Sequence, residues 1–126
     1  MPWTARYLPR GAEVQFAGHI TIKDICDAQK ELMAHPYDGP MRFNIADYSH
    51  ADVEATTGDL IDLFDMQKEF LRSHPAYAIV MVAQKPLVRD LAQLWQLLAR
   101  NTALDSTLVW DSEEAYRWLR ERGYLE

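Results

Sequence analysis

The sequence is short of several things, and each shortage closes off a class of function. It has one cysteine, Cys26, so an intrachain disulfide is excluded and a reducing compartment fits. It has no apolar run near the roughly 20 residues that a membrane-spanning helix needs. Its first residues, MPWTARYLPRG, lack the apolar core of a secretory signal. We therefore expect a cytoplasmic protein with no membrane span. Positive charge is scarce: 13 Lys and Arg stand against 19 Asp and Glu, for a net charge of -6 and a pI of about 5.1. Nucleic acid and anionic membrane both select basic surfaces, so neither is expected as a partner. The four histidines share no ligand spacing, and no catalytic or metal motif occurs, so we expect no enzyme, no metal and no cofactor.

What is present suits one domain, residues 1–126, with one core: 48% of residues are apolar and 25% charged. Residues 5–8 read as a short strand, closed by the turn Pro9-Arg10-Gly11. Residues 13–17 (EVQFA) alternate polar and apolar and read as its hairpin partner. Thr21 then caps a helix whose apolar stripe is Ile22, Ile25, Cys26, Leu32 and Met33, ending near His35-Pro36. Residues 41–47 (MRFNIAD) form a third strand, and Leu60, Leu63, Phe64, Phe70 and Leu71 mark a second helix. The run YAIVMVA at 77–83 is the most apolar and is expected to be the central strand, covered on both faces. Pro86 opens a third helix with Leu87, Leu91, Leu94, Trp95 and Leu98 as its buried face. A short strand at 107–110 and a helix opened by Ser112, ending near Gly123, complete the chain. Strands alternating with helices predict an α/β fold: a five-stranded mixed, mostly parallel sheet with right-handed crossovers and four helices.

The stretch IADYSHADVEATTGDL at 45–60 adds a resemblance. With the element order β-β-α-β-α-β-α-β-α, it resembles the STAS or SpoIIAA-like family of anti-sigma-factor antagonists and sulphate-transporter tails. In those antagonists the third strand ends in Asp-x-Ser and the second helix opens with Asp-Ser-Ser-Gly, whose second serine is phosphorylated. Here Asp47-Tyr48-Ser49 and Ala55-Thr56-Thr57-Gly58 stand at matching distance. The family's aspartate is replaced by Ala55 and both serines by threonine. By this register Thr57 is the phosphorylation candidate. The C-terminal half, from Val80-x-Val82-Ala83 to Trp118-Leu119, is similar to bacterial SpoIIAA-like proteins of unassigned activity, which share their fold with the lipid-binding SEC14 class.

Physical chemistry favours a plain helix start over a switch at Thr57. Thr56 can cap the second helix with Asp59 as a capping-box partner, and no basic residue lies between Arg42 and Lys68 to pair a phosphate. In open α/β sheets ligands bind at the carboxyl ends of the strands. That rim collects the ligand candidates Thr21, Tyr48, Ser49, His50, Gln84, Lys85 and Ser112, together with His19, from the predicted loops. Lys85, just before the third helix, would help that helix's dipole receive a small anion. Ser49 and His50, as neighbours, do not make a triad. The histidines are expected to be solvated, and Cys26 to be packed rather than reactive. The leading reading is a non-enzymatic SpoIIAA-like binding module that engages a protein partner or a second copy of itself. The alternative is a carrier of a small apolar or anionic ligand, or a lipid, held between helices and sheet. The third is a phospho-switched antagonist using Thr57.

Overall fold

A computed structural model describes residues 2–125. β1 (Trp3–Leu8) and β2 (Gly11–Thr21) form an antiparallel hairpin. Gly11 is required at its turn, because a Cβ there would lie 2.6 Å from ring carbons of Phe43. The chain continues through α1 (Ile22–Ala34), β3 (Phe43–Glu54), α2 (Thr57–Ser73), β4 (Ala78–Val82), α3 (Pro86–Ala99), β5 (Asp105–Val109) and α4 (Ser112–Glu121). The sheet order is β1-β2-β3-β4-β5, and every pair beyond the first hairpin is parallel. The expected mixed α/β sheet with four helices is what forms.

Because the strands add one after another in one direction, the crossovers put α1, α2 and α3 on a single face. Val14, Phe16, Ala46, Ile79 and Met81 pack there against Ile25, Leu60, Leu63 and Trp95. On the other face Phe43, Ile45, Val80 and Val82 pack against Ala115 and Leu119 of α4. Strand geometry sends successive side chains to opposite faces, so β4, buried throughout, serves both cores.

Several expectations need correction. β4 is interior but not central; β3 holds the middle, because the sheet grows in chain order. β3 does not end at Asp47: it runs to Glu54, pairing with β2 through Ala17↔His50 to Thr21↔Glu54, beyond the reach of β4. Polar residues read as loop are tolerated because this two-stranded arm projects past the sheet. β5 starts two residues earlier than expected and leaves Trp110 outside it.

The face of α3 is also different. Its buried residues are Val88, Ala92, Trp95 and Ala99, while Leu87 is 77% exposed and Leu94 41%. The apolar arc of this helix is wider than the sheet can cover. Small Ala92 and Ala99 permit close approach to the strands, and that decides which edge of the arc goes inward.

The histidines are less free than expected. His35 stacks on Tyr7 at 3.7 Å and His74 on Phe70 at 3.9 Å between ring centres, and His19 Nε2 lies 2.7 Å from Glu54 Oε2. Two polar pairs, one buried and one partly buried, cross between elements. Tyr116 of α4 donates to Glu13 Oε1 of β2 at 2.9 Å, and burial, with that bond, pushes the phenol up to about 12. Asn44 Nδ2 donates to Gln29 Oε1 of α1 at 3.1 Å.

Candidate functional site

The rim at the carboxyl ends of β3, β4 and β5 brings part of the candidate set together. Between Gln15↔Asp47 and Ala17↔His50 the register shifts, so Tyr48 and Ser49 stand opposite the one residue Phe16. This bulge turns Ser49 back onto the chain. Its N–H and Oγ–H both donate to Asp47 Oδ1, at 2.9 and 2.5 Å. Gln84, just after β4, donates to Ser49 Oγ at 3.0 Å and to the Trp110 carbonyl at 2.5 Å. Arg89 of α3 donates to the carbonyls of Ala83 and Val109 and lies 3.6 Å from the centre of the Trp110 ring. Arg89 is the residue here that the sequence does not single out; Asp47, quoted only as part of the Asp-x-Ser resemblance, and Trp110 are not among the ligand candidates. Asp47 ends the alternating strand pattern, and this was the available signal; the other two meet only through folding.

The remaining candidates are dispersed. Lys85 is the N-cap residue of α3, but its ammonium is 2.8 Å from Asp52 Oδ1 and 3.2 Å from the Ala51 carbonyl. That bond holds the Asp52 carboxyl below its usual range, and the charge offered to an anion is already answered. Tyr48 stacks on Phe16 at 5.0 Å, and burial drives its phenol well above the ordinary value. His50 is exposed on the arm. Thr21 caps α1 in a full capping box with Asp24. Ser112 is the first residue of α4, whose cap is Asp111, accepting from the Glu114 N–H at 2.8 Å.

Thr56 and Asp59 make both bonds of a capping box at the start of α2: Asp59 N–H to Thr56 Oγ1 at 3.1 Å, and Thr56 N–H to Asp59 Oδ2 at 2.9 Å. Thr57 is exposed in the first turn. The lack of nearby cations, inferred from chain distance, is partly overturned. Lys23 of α1 lines a shallow cleft with Thr21, Glu54 and Asp59, although its ammonium sits 2.8 Å from Asp27. Thr56→Ala is expected to cost about 1 kcal/mol of stability. Thr57→Ala should stay within about 0.5 kcal/mol of wild type. Paired denaturant midpoints check this, and equal losses would remove the assignment of Thr56 as the cap.

Between α1, α2, α3 and the sheet lies a cavity of about 50 Å³, lined by Ile25, Gln29, Tyr48, Leu63, Gln67 and Trp95 among others. Trp95 Nε1 donates to Gln67 Oε1 across it at 2.9 Å. α2 and α3 run side by side in the same direction; Leu60, Leu63 and Leu91 line this cavity, and Phe64, Leu71 and Leu98 line a second pocket towards the ends of the two helices. Leu87, Leu94 and Leu97 (56% exposed) stand on the solvent side of α3. Among the described residues, no helix is long and apolar enough to cross a membrane.

No family model and no curated protein matches the chain. Solved structures do. An uncharacterised protein of the DUF3478 family from Shewanella loihica PV-4, with a SpoIIAA-like fold, is similar at a TM-score of 0.57 and 11% identity, over 93% of this chain and 91% of that one. The anti-sigma factor antagonist SpoIIAA in its unphosphorylated form is similar at 0.60 and 16%, over 98% and 99%. At these identities the likeness concerns architecture, and with its five-stranded mixed sheet and four helices the chain has a STAS-type, SpoIIAA-like fold.

Proposed function

We propose that this domain is a non-enzymatic binding module of the cytoplasm whose partner is another protein, docked on the solvent side of α3. The observation that carries the reading is the exposure of Leu87, Leu94 and Leu97 on a helix whose core face is already complete without them. Water-exposed leucines grouped on one helix favour burial against a partner. The rim agrees with a non-catalytic role, since the Ser49 hydroxyl is bonded to a carboxylate and an amide and not to a histidine base. One structural neighbour is an anti-sigma factor antagonist, which accords with a protein as the partner. The half-buried Cys26 thiol, which burial pushes up, suits a reducing compartment.

The carrier reading stands second. A cavity of about 50 Å³ is well below the roughly 300–1,000 Å³ of sites that take drug-sized ligands. Thr57 we read as the first turn of α2, with Thr56 as its cap.

Affinity capture from the native host, with the wild-type chain and a Leu87→Glu/Leu94→Glu variant side by side, tests the proposal. The expected result is one stoichiometric protein held by wild type and lost by the variant, with the circular dichroism of the two unchanged. A partner retained equally by both chains would move the docking surface elsewhere. Tight co-purification of a small molecule without a protein would promote the carrier.

A further inference from the structure

The cavity between α1, α2, α3 and the sheet leaves a hydrogen-bond donor unanswered. Gln29 and Gln67 line it, each 5% exposed, and each gives its carbonyl to a neighbour. Asn44 Nδ2 donates to Gln29 Oε1 at 3.1 Å, and Trp95 Nε1 to Gln67 Oε1 at 2.9 Å. An indole N–H can only donate, so the orientation of the Gln67 amide is fixed. Its oxygen faces Trp95, and its NH2 group has no hydrogen-bond partner among the described residues. The hydroxyl of Tyr48, another lining residue, has none either. The atoms sealed away without a partner, among the described residues, are Glu13 Oε2 and Asn44 Oδ1. The Gln67 NH2 group therefore keeps some surface, and for a residue buried this deeply the cavity it lines is where that surface lies. Buried donors in native proteins almost always find an acceptor, so this one calls for an occupant.

The walls name the occupant's chemistry. No charged side chain among the described residues lines the cavity, so an ion would lose its water without a counter-charge. Apart from the two amides and the phenol the wall is apolar, with Leu63, Met81 and Trp95 among its members. Water answers such a wall poorly, since apolar cavities stay dry and a buried water needs two to four polar partners. A molecule with one acceptor oxygen on an apolar body answers both parts. The cavity measures about 50 Å³. At roughly 10–15 Å³ for each water-sized volume, that suits a body of about four carbons and one oxygen. The half-buried lining residues are Tyr48, Val53 and Leu91, and Ile22, Leu60 and Val88 bring in the first turns of α1, α2 and α3. The way in is thus at the carboxyl ends of the strands, where open α/β sheets take their ligands.

We propose that this cavity binds a small neutral molecule with one acceptor oxygen, a short-chain ketone or alcohol of about five non-hydrogen atoms. Its oxygen accepts from the Gln67 amide, and its carbons lie against Leu63, Met81 and Trp95. A ligand of this size binds no tighter than a few micromolar, by the ceiling on what each atom can contribute, so it is lost during purification. The site is separate from the exposed leucines of α3, and it stands or falls apart from the protein-docking reading.

Titration of the full chain with 2-butanone, followed in nitrogen-15 correlation spectra, reads the Gln67 side-chain amide and the Trp95 indole directly. Both signals should shift saturably, with a dissociation constant between about 10 μM and 10 mM. Propionate, of the same size but charged, should leave them in place. Ala92→Val thickens the cavity wall and should abolish the saturable shift. Gln67→Met keeps the volume but removes the donor, and should weaken the ketone at least about tenfold, read at the Trp95 indole. Well-dispersed spectra certify that each variant is folded; if one is not, the two wild-type titrations decide. Shifts that rise linearly with ketone, as for a cavity that is dry or holds only water, overturn the proposal. So do equal shifts with propionate, or affinity undiminished in either folded variant. If the ketone fails while the captured host protein is still lost on Leu87→Glu/Leu94→Glu, this inference falls and the binding module stands. If the ketone binds as expected and no host protein is captured, the reverse holds.

Discussion

Trp95→Ala is expected to lower folding stability by about 3–5 kcal/mol, while Leu94→Ala, one residue away, should cost less than about 1 kcal/mol. Trp95 is 4% exposed, and its indole closes the cavity between the three helices and the sheet. Truncation removes its packing against both α2 and the sheet, and enlarges a void already present. It also removes the one donor among the described residues that reaches buried Gln67 Oε1, leaving a desolvated amide oxygen with nothing to accept. Leu94 is 41% exposed and stands outside the core. Equilibrium denaturation of the two variants decides the matter. An unchanged midpoint for Trp95→Ala, or a loss at Leu94 as large as at Trp95, would mean that α3 is rotated from the register described.

Leu119→Ala is expected to cost about 2–5 kcal/mol. α4 is the helix that covers the second face of the sheet, with Leu8, Tyr124 and Leu125 packed beside it, and among its residues only Ala115 and Leu119 are fully buried. Leu119 has no exposed surface and supplies the bulk that fills the space over Phe43, Ile45, Val80 and Val82. The polar contacts of α4, from Tyr116 to Glu13 and from Arg122 to Asp105 at 2.6 Å, lie beside this anchor and do not replace it. The loss should appear as a lowered denaturant midpoint together with faster hydrogen exchange at α4 amides. A wild-type midpoint would place the weight of this face on the polar contacts.

The two tryptophan-leucine neighbours on α3 mark where sequence reading stops. The spacing of Leu87, Leu91, Leu94, Trp95 and Leu98 established a helix and an apolar arc, and both are present. Which edge of the arc turns inward depended on Ala92 and Ala99, whose small size lets the backbone approach the strands, and a stripe drawn through large residues overlooks them. The capping boxes were legible, because a Thr three residues before an Asp is a local arrangement that makes the same bonds wherever the helix starts.

Periodicity, caps and turn residues by themselves determined the element order, the antiparallel first hairpin, the parallel remainder and the start of α2 at Thr56-Thr57, since each rests on contacts within a few residues or on the handedness of a crossover. The tertiary structure alone decided the candidate sites. The arm of β2 and β3 beyond Asp47, the meeting of Ser49 with Gln84 and of Arg89 with Trp110, and the capture of Lys85 by Asp52 join residues 20 to 35 positions apart. Polarity and spacing carry no record of such encounters, because they are set by which strand ends lie side by side once the sheet has formed.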